Sequence, residues 1–434
     1  MRNVKIWILA LMAALVLCGC STVDDMYVIP KRSEDYNNLQ SAIDNAMTNL
    51  SYSAPVAGEN RQSVQMADLN GDGIEEYLVF AKDSNDKPLK ILVFRNAAGR
   101  YDLVATLENS GTAFDQVEYV QLDERPGLEV VAGRQVSDQV FRSMTVYTMS
   151  GDVVEQVVAD HYTKMLSVDM NSDGTGELLL IKPGESDGDK GLVSLYSVKN
   201  GALERSNEVD MSQPADKIKR IVVGKLQDGG NGVYVGSTVD ESTLITDVFV
   251  LRDGLLTNMT LSVESGTSVK TMRNYYIYAD DVDDDGVVEL PSLITMKPVS
   301  SLYSSDQLHL IRWYALTASG EERNKMYTFH NFLDGWYFQL DETLIDRITV
   351  TMKGTSYHFS MWDKEYRTTE ELLSITANAV QSRTAQADTI VLSRTDKVVY
   401  TAQLTPDAQK YGITPDSVIY NFRLIHQDWK TGET

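Results

Sequence analysis

Three short Asp-rich segments carry the side chains best suited to chemistry. They are residues 68–76 (DLNGDGIEE), 169–177 (DMNSDGTGE) and 281–289 (DVDDDGVVE), named loops 1, 3 and 5. Positions 1, 3 and 5 are Asp or Asn, position 6 is Gly and position 9 is Glu. Alternating side-chain oxygens, a glycine that permits a tight turn and a backbone carbonyl at position 7 suit a hard cation such as Ca²⁺. The alternative is a set of metal-free polar turns, which favour the same residue types.

Apolar runs flank these loops, so each loop is predicted to join two β-strands. Residues 64–66 precede loop 1 and residues 77–80 follow it, residues 178–181 follow loop 3, and residues 275–278 precede loop 5. Further strands and hairpin turns separate successive loops. The predicted unit is therefore a loop followed by strand, hairpin and strand.

Two degenerate copies occupy the gaps between the three loops. Loop 2 is residues 121–129 (QLDERPGLE) and loop 4 is residues 225–233 (KLQDGGNGV). With all five copies the repeat is about 48 to 56 residues long, the size of a four-stranded propeller blade. Internal repetition thus predicts a β-propeller of about five blades over residues 51–330.

The loop pattern between strands resembles the FG-GAP or VCBS-type repeats of integrin α-subunit propellers and bacterial surface proteins, over roughly residues 60 to 300. The resemblance implies a mainly β fold whose Asp-rich hairpin loops bind up to three structural Ca²⁺ ions. Carried over by position, with backbone carbonyls at position 7, the implied ligands are Asp68, Asn70, Asp72, Ile74 and Glu76; Asp169, Asn171, Asp173, Thr175 and Glu177; Asp281, Asp283, Asp285, Val287 and Glu289.

The degenerate loops depart from this pattern in ways that argue against a metal. Arg125 holds position 5 of loop 2, where its guanidinium is expected to neutralise Asp123 and Glu129. Loop 4 begins with Lys225 and ends with Val233, so no site is expected there.

The N-terminus has the features of an export signal over residues 1–19. Arg2 and Lys5 precede an apolar run at residues 6–17, which is too short to span a bilayer. The stretch ending at Cys20 resembles a bacterial lipobox, which implies lipid on Cys20 and anchorage at the outer face of the cytoplasmic membrane. The alternative is an ordinary secretory signal with two incidental cysteines. A tether over residues 20–35 and a short helix over residues 36–50 are expected to follow.

The acidic balance of the chain restricts its partners. It has 39 basic and 62 acidic residues, a formal charge of −23. Binding to nucleic acid is disfavoured because it requires neutralisation of phosphates by Lys and Arg. Bound cations, in contrast, would relieve the self-repulsion.

The loop pattern ends near residue 330. Residues 331–434 are predicted to form a separate α+β domain, with helical turns at 368–373 and 406–410 and an extended segment at 419–422. The alternative is one or two loopless blades that complete the propeller. The four tryptophans after residue 312, which are Trp313, Trp336, Trp362 and Trp429, are expected in the core; the alternative is that they stack on sugars or anchor a protein partner.

No catalytic motif accompanies these features. The five histidines are scattered at no metal-ligand spacing, and neither Gly-x-Ser-x-Gly nor a phosphate-binding loop is present. The sequence therefore favours a noncatalytic binding or scaffold module for an envelope protein or glycan. The alternative is a polysaccharide-acting hydrolase or lyase on a propeller scaffold.

Overall fold

The computed structural model of the chain describes residues 34–136, 142–199, 202–296, 308–363, 368–380 and 389–425. Within these ranges the protein is mainly β, with six antiparallel sheets of four or five strands that follow one another along the chain. The predicted export signal and Cys20 lie outside the described residues. None of the helices in these ranges is long and apolar enough to cross a membrane.

Sheets 1 to 3 occupy the first half of the chain. Sheet 1 contains β1 (Ser51–Tyr52), β2 (Val64–Ala67), β3 (Glu76–Lys82), β4 (Leu89–Ala97) and β5 (Arg100–Asn109). Sheet 2 contains β6 (Ala113–Val120), β7 (Glu129–Gln135), β8 (Arg142–Ser150) and β9 (Val153–Tyr162). Sheet 3 contains β10 (Lys164–Val168), β11 (Glu177–Lys182), β12 (Leu192–Lys199) and β13 (Ala202–Asp210). Sheets 2 and 3 are simple meanders, whereas β1 and β2 of sheet 1 share one edge of β3.

Sheets 4 to 6 follow. Sheet 4 contains β14 (Ile218–Lys225), β15 (Asn231–Thr238), β16 (Leu244–Arg252) and β17 (Leu255–Asn258). Sheet 5 contains β18 (Glu289–Thr295), β19 (His309–Leu316), β20 (Glu322–Asn331), β21 (Trp336–Leu340) and β27 (Phe422–Leu424). Sheet 6 pairs in the order β22 (Ile348–Lys353), β23 (Ser356–Asp363), β24 (Thr368–Ala379), β26 (Val398–Leu404), β25 (Ile390–Arg394).

Apolar side chains pack between consecutive sheets, because alternate residues of each strand point to opposite faces. In the described ranges, five hydrophobic clusters lie between consecutive sheets, and each contains buried side chains of both. Their members include Phe80 and Phe114, Met144 and Leu178, Val193 and Phe249, Val248 and Tyr314, and Trp336 and Phe359. Each sheet is thus joined by a hydrophobic core to the next one in sequence. The succession of stacked meanders is propeller-like.

The helix α1 (Glu34–Ala46) covers the face of sheet 1 that points away from sheet 2. Ile43 is buried with Val79, Leu92 and Phe94 of that face, and Leu39 packs beside them. Among the hydrophobic clusters formed by the described residues, none combines side chains of sheet 6 with those of sheet 1. A helix therefore covers the outer face of sheet 1.

Sheet 5 spans the predicted domain boundary near residue 331. Its strands β20 and β21 are hydrogen-bonded neighbours on either side of that point, and β27 returns to pair with β21. Sheets 5 and 6 also share one hydrophobic core, to which Leu310 and Phe359 contribute from either side.

Three predictions of local structure were wrong. The expected helical turn at residues 368–373 is part of β24, because pairing with β23 and β26 overrides the helix propensity of its Glu and Leu residues. The expected extended segment at 419–422 lies mostly in α2 (Pro415–Asn421), which a capping box of Thr414 and Ser417 begins. The expected strand at 275–278 does not form, since the Ile277 carbonyl accepts from the Arg273 guanidinium instead of a neighbouring strand. Pairing before loop 5 is limited to a bridge between Asp280 and Glu289.

Candidate metal-binding loops

Loops 1, 3 and 5 share one conformation, held by three hydrogen bonds at equivalent positions. The amide at position 6 donates to the carboxylate at position 1 over 2.9, 2.9 and 2.7 Å, from Gly73 to Asp68, Gly174 to Asp169 and Gly286 to Asp281. The amide at position 7 donates to the carboxylate at position 5 over 2.8 Å each time, from Ile74 to Asp72, Thr175 to Asp173 and Val287 to Asp285. The amide at position 2 donates to the glutamate at position 9 over 2.9, 2.9 and 3.1 Å, from Leu69 to Glu76, Met170 to Glu177 and Val282 to Glu289. The repeat in sequence is thus a repeat in structure.

The tight turn depends on left-handed backbone at position 6. Gly73, Gly174 and Gly286 have φ of 83°, 92° and 84° there. Glycine adopts this conformation without a Cβ penalty, which explains why all three loops carry it. The turn allows the side chains before it and the glutamate after it to belong to one cluster.

The glutamates at position 9 are buried beneath their loops. Burial is the main cause that raises the pKa of Glu76 and of Glu177, and the neighbouring aspartates raise it further. Burial raises the pKa of Glu289 to about 8. Desolvated carboxylates close to other acids are unfavourable unless a cation accompanies them. A cation bound at these loops would offset this cost, as would protonation of the glutamate.

Loop 5 meets the requirements of a divalent cation most fully. Carboxylate oxygens of Asp281, Asp283 and Asp285 all lie within 4.8 Å of one another. Glu289 is fully buried below them, and its Oε1 accepts no hydrogen bond from the described residues. An oxygen left without a donor beside three carboxylates suits Ca²⁺, which takes six to eight oxygen ligands. The donor set present in loop 5 therefore fits a calcium ion.

Loops 1 and 3 differ from loop 5 at position 3, where Asn replaces Asp. Asn70 Oδ1 accepts from the Asp72 amide and Asn171 Oδ1 from the Asp173 amide, both at 2.9 Å. The Asn70 side-chain amide also donates to Glu76 Oε1 at 3.0 Å. The predicted side chains of each loop are thus brought together. That all of them, with the carbonyls of position 7, ligate a metal stays a prediction.

In loop 2, an internal cation occupies the acidic cluster. Arg125 Nε donates to Asp123 Oδ2 at 2.7 Å, and a second guanidinium nitrogen lies 2.5 Å from the same oxygen. Glu129 accepts from the Leu122 amide at 2.9 Å, as the glutamates of the other loops do, and from the Thr148 hydroxyl at 3.2 Å. Arg125 pairs directly with Asp123, while its effect on Glu129 is through charge alone.

Neighbouring loops are also joined by hydrogen bonds, which no sequence pattern indicated. The amide at position 8 of one loop donates to the position 1 carbonyl of the preceding loop, over 3.0, 2.7 and 3.1 Å, from Leu128 to Asp68, Gly176 to Gln121 and Val288 to Lys225. Between loops 3 and 4, Asn231 replaces this bond by donating from its backbone to Met170 and from its side chain to Asp169. The five loops therefore form one continuous row, which we call the loop ladder.

Sequence reasoning also missed Lys325. This side chain comes from β20, 36 residues after the end of loop 5, and forms an ion pair with Asp285. No local spacing links the two, so only the pairing of β18, β19 and β20 reveals the contact.

The aromatic and histidine residues after residue 312 are largely structural. Trp313 and Trp336 are buried in the core, as predicted, while Trp429 lies outside the described residues. His330 is fully buried against Trp313 and Tyr337, and burial lowers its pKa to about 3. It is therefore neutral and suited to packing.

Comparisons with known proteins reveal only distant similarity. No family model and no curated protein sequence matches the chain. Among solved structures, the rhamnogalacturonan lyase YesW is 14% identical, with a TM-score of 0.31 over 86% of this chain and 77% of that one. A rhamnogalacturonan lyase of Bacillus licheniformis is 13% identical, with a TM-score of 0.31 over 82% and 72%. A protein from Lactobacillus plantarum is 10% identical, with a TM-score of 0.28 over 73% and 85%. Similarity at this level establishes neither a common fold nor a common activity.

Proposed function

We propose that the chain is a lipid-anchored, extracytoplasmic, propeller-like scaffold that calcium stabilises, and that it acts as a noncatalytic binding module for an envelope protein or glycan. One observation supports this most directly. Three loops with the same spacing repeat the same three hydrogen bonds above a buried glutamate. Loops 1, 3 and 5 are the proposed sites of up to three structural Ca²⁺ ions.

Calcium at these loops replaces repulsion with coordination. In each loop the ion takes the carboxylates of positions 1 and 5, the side-chain oxygen of position 3, the carbonyl of position 7 and the glutamate of position 9. The loop ladder transmits this stabilisation, because each loop is bonded to the next. The proposed role of the ions is therefore to hold the loop ladder in one conformation.

The test is a calcium titration of the full chain by isothermal calorimetry, with thermal unfolding in calcium and in EDTA. We expect three bound ions, and a midpoint lower by about 10 °C or more in EDTA. Asp68→Asn, Asp169→Asn and Asp281→Asn should each remove one ion. Asp86→Asn, in an exposed turn of sheet 1, is the matched control and should bind like the wild type. An unchanged midpoint after complete removal of metal would contradict the proposal.

Anchorage and binding require separate tests. Cys20→Ser should move the protein from the membrane fraction to the soluble fraction, while Cys18→Ser should not. Retention of the Cys20→Ser chain on membranes would exclude the lipid anchor. For the ligand, the full chain is incubated with cell-envelope proteins and with an array of envelope glycans. Saturable binding without turnover supports a binding module, whereas cleavage of a glycan would show an enzyme.

A further inference from the structure

Lys325 reaches loop 5 from a strand outside it. Its ammonium forms an ion pair with Asp285 Oδ2 and lies 3.8 Å from Glu289 Oε1. The lysine side chain is 16% exposed and Glu289 is fully buried, so solvent screens that contact weakly, whereas Asp285 is 41% exposed. A strand of the same sheet thus places a fixed positive charge at the acidic cluster.

The other acidic loops have different electrostatic surroundings. The charged groups that raise the pKa of Glu76 are Asp72 and Asp68, and those that raise the pKa of Glu177 are Asp173 and Asp169. Loop 2 contains its own arginine beside Asp123. Loop 5 combines the full acidic set with a lysine that opposes the rise in the pKa of Glu289. In its charge environment, loop 5 is therefore intermediate between loops 1 and 3, which have only acids, and loop 2, which has its own arginine.

We propose that Lys325 competes with calcium at loop 5, so that this loop binds its ion more weakly than its four predicted acidic ligands alone would. The proposal rests on the function proposed above. In the metal-free state the ammonium partly neutralises Asp285. When Ca²⁺ binds, Asp285 turns from the ammonium to the ion, and Lys325 is left beside a divalent cation.

The expected cost of this competition follows from Coulomb's law. A single positive charge about 6 Å from a divalent ion weakens its binding by about tenfold at the dielectric constant of water, and by more at the lower effective value of a protein surface. Lys325 accordingly makes the ion of loop 5 easier to release. Its release also weakens the end of the loop ladder at which Val288 donates to Lys225.

The experiment measures calcium affinities of the full chain by calorimetry for the wild type, Lys325→Met and Lys325→Arg. Lys325→Met should strengthen one site by at least about tenfold, and combining it with Asp281→Asn should abolish that site. Lys325→Arg keeps the charge and should retain the wild-type affinity, which guards against an effect of misfolding. Lys182→Met is the matched control, because Lys182 is similarly buried, with its side chain 14% exposed, and pairs with Asp160 away from the loops.

The outcomes separate the two proposals. If calcium binds but Lys325→Met leaves every affinity unchanged or weaker, the competition is excluded and the calcium scaffold stands. If the wild type binds no calcium, the scaffold proposal fails, and the competition fails with it. A gain of tenfold or more, confined to the site that Asp281→Asn removes, supports both.

Discussion

The five loops occupy equivalent positions in the fold but carry different side chains. Loops 1, 3 and 5 form one group, and loops 2 and 4 form the other. All five belong to the loop ladder through backbone and Asn231 donors. The glutamate beneath the loop recurs in loops 1, 2, 3 and 5. Only the first group keeps Asp or Asn at positions 1, 3 and 5. The loop ladder can thus exist without a full set of metal-binding side chains, and the proposed cation sites are an addition to it.

The largest predicted difference between the two groups concerns pH in the absence of metal. Because the pKa of Glu289 is raised to about 8, the folded state binds a proton that the unfolded state releases near pH 4.5. The stability of the metal-free protein should therefore fall as pH rises from about 4.5 to about 8, by up to about 1.4 kcal/mol per pH unit. Chemical unfolding in EDTA at a series of pH values measures this slope.

Glu289→Gln should flatten that pH dependence, since the amide cannot ionise. Glu129→Gln in loop 2 is the comparison, because Glu129 accepts from Thr148 and has Arg125 nearby. It should flatten the slope less. Equal slopes for the wild type and Glu289→Gln would exclude this glutamate as the source.

A second prediction breaks the ladder without touching a proposed ligand. Gly127 in loop 2 has φ of 106°, and a Cβ there would lie 2.4 Å from the Leu69 carbonyl oxygen of loop 1. Gly127→Ala should therefore lower the free energy of unfolding by about 4 kcal/mol, through backbone strain and a clash together. Denaturant unfolding gives the value.

The control for this ladder variant is Gly174→Ala in loop 3. Gly174 has φ of 92°, but a Cβ added there would meet nothing within 4 Å. Only the conformational cost remains, about 1 to 2 kcal/mol. Similar losses for the two variants would show that close packing between loops contributes little.

The sequence predicted those parts of the loops that depend on local spacing. In loop 1, Asp68 and Glu76 both accept hydrogen bonds from backbone amides of the same nine residues, so the sequence spacing alone relates them. Contacts between distant segments could not be read in this way. Lys325 meets Asp285 only because three strands pair, and residues 368–373 form a strand only because two neighbours flank them. The packing of α1 on sheet 1 also joins distant segments, so it could not be predicted from local spacing either.

A third prediction compares equivalent glutamates in the two kinds of loop. Glu177→Gln should remove one calcium ion from the titration, whereas Glu129→Gln should leave the number of ions unchanged. At a free calcium concentration about 100 times the dissociation constant, the lost ion costs about 3 kcal/mol of stability. In EDTA this loss should disappear. Loss of an ion from Glu129→Gln would show that loop 2 binds metal despite Arg125.

The smallest predicted effect tests the internal cation of loop 2. Arg125→Met leaves the buried Asp123 without its ion pair, but the arginine side chain is 57% exposed, so the expected loss is only about 1 kcal/mol. The loss should be the same in calcium and in EDTA, because loop 2 requires no metal. Arg100→Met is the matched control, since Arg100 also pairs with an aspartate two residues away, Asp102, which is more exposed. Its loss should be near zero, because water solvates a surface carboxylate that has lost its partner. A calcium-dependent loss for Arg125→Met would instead place a metal beside Asp123, and the contrast between the two kinds of loop would then fail.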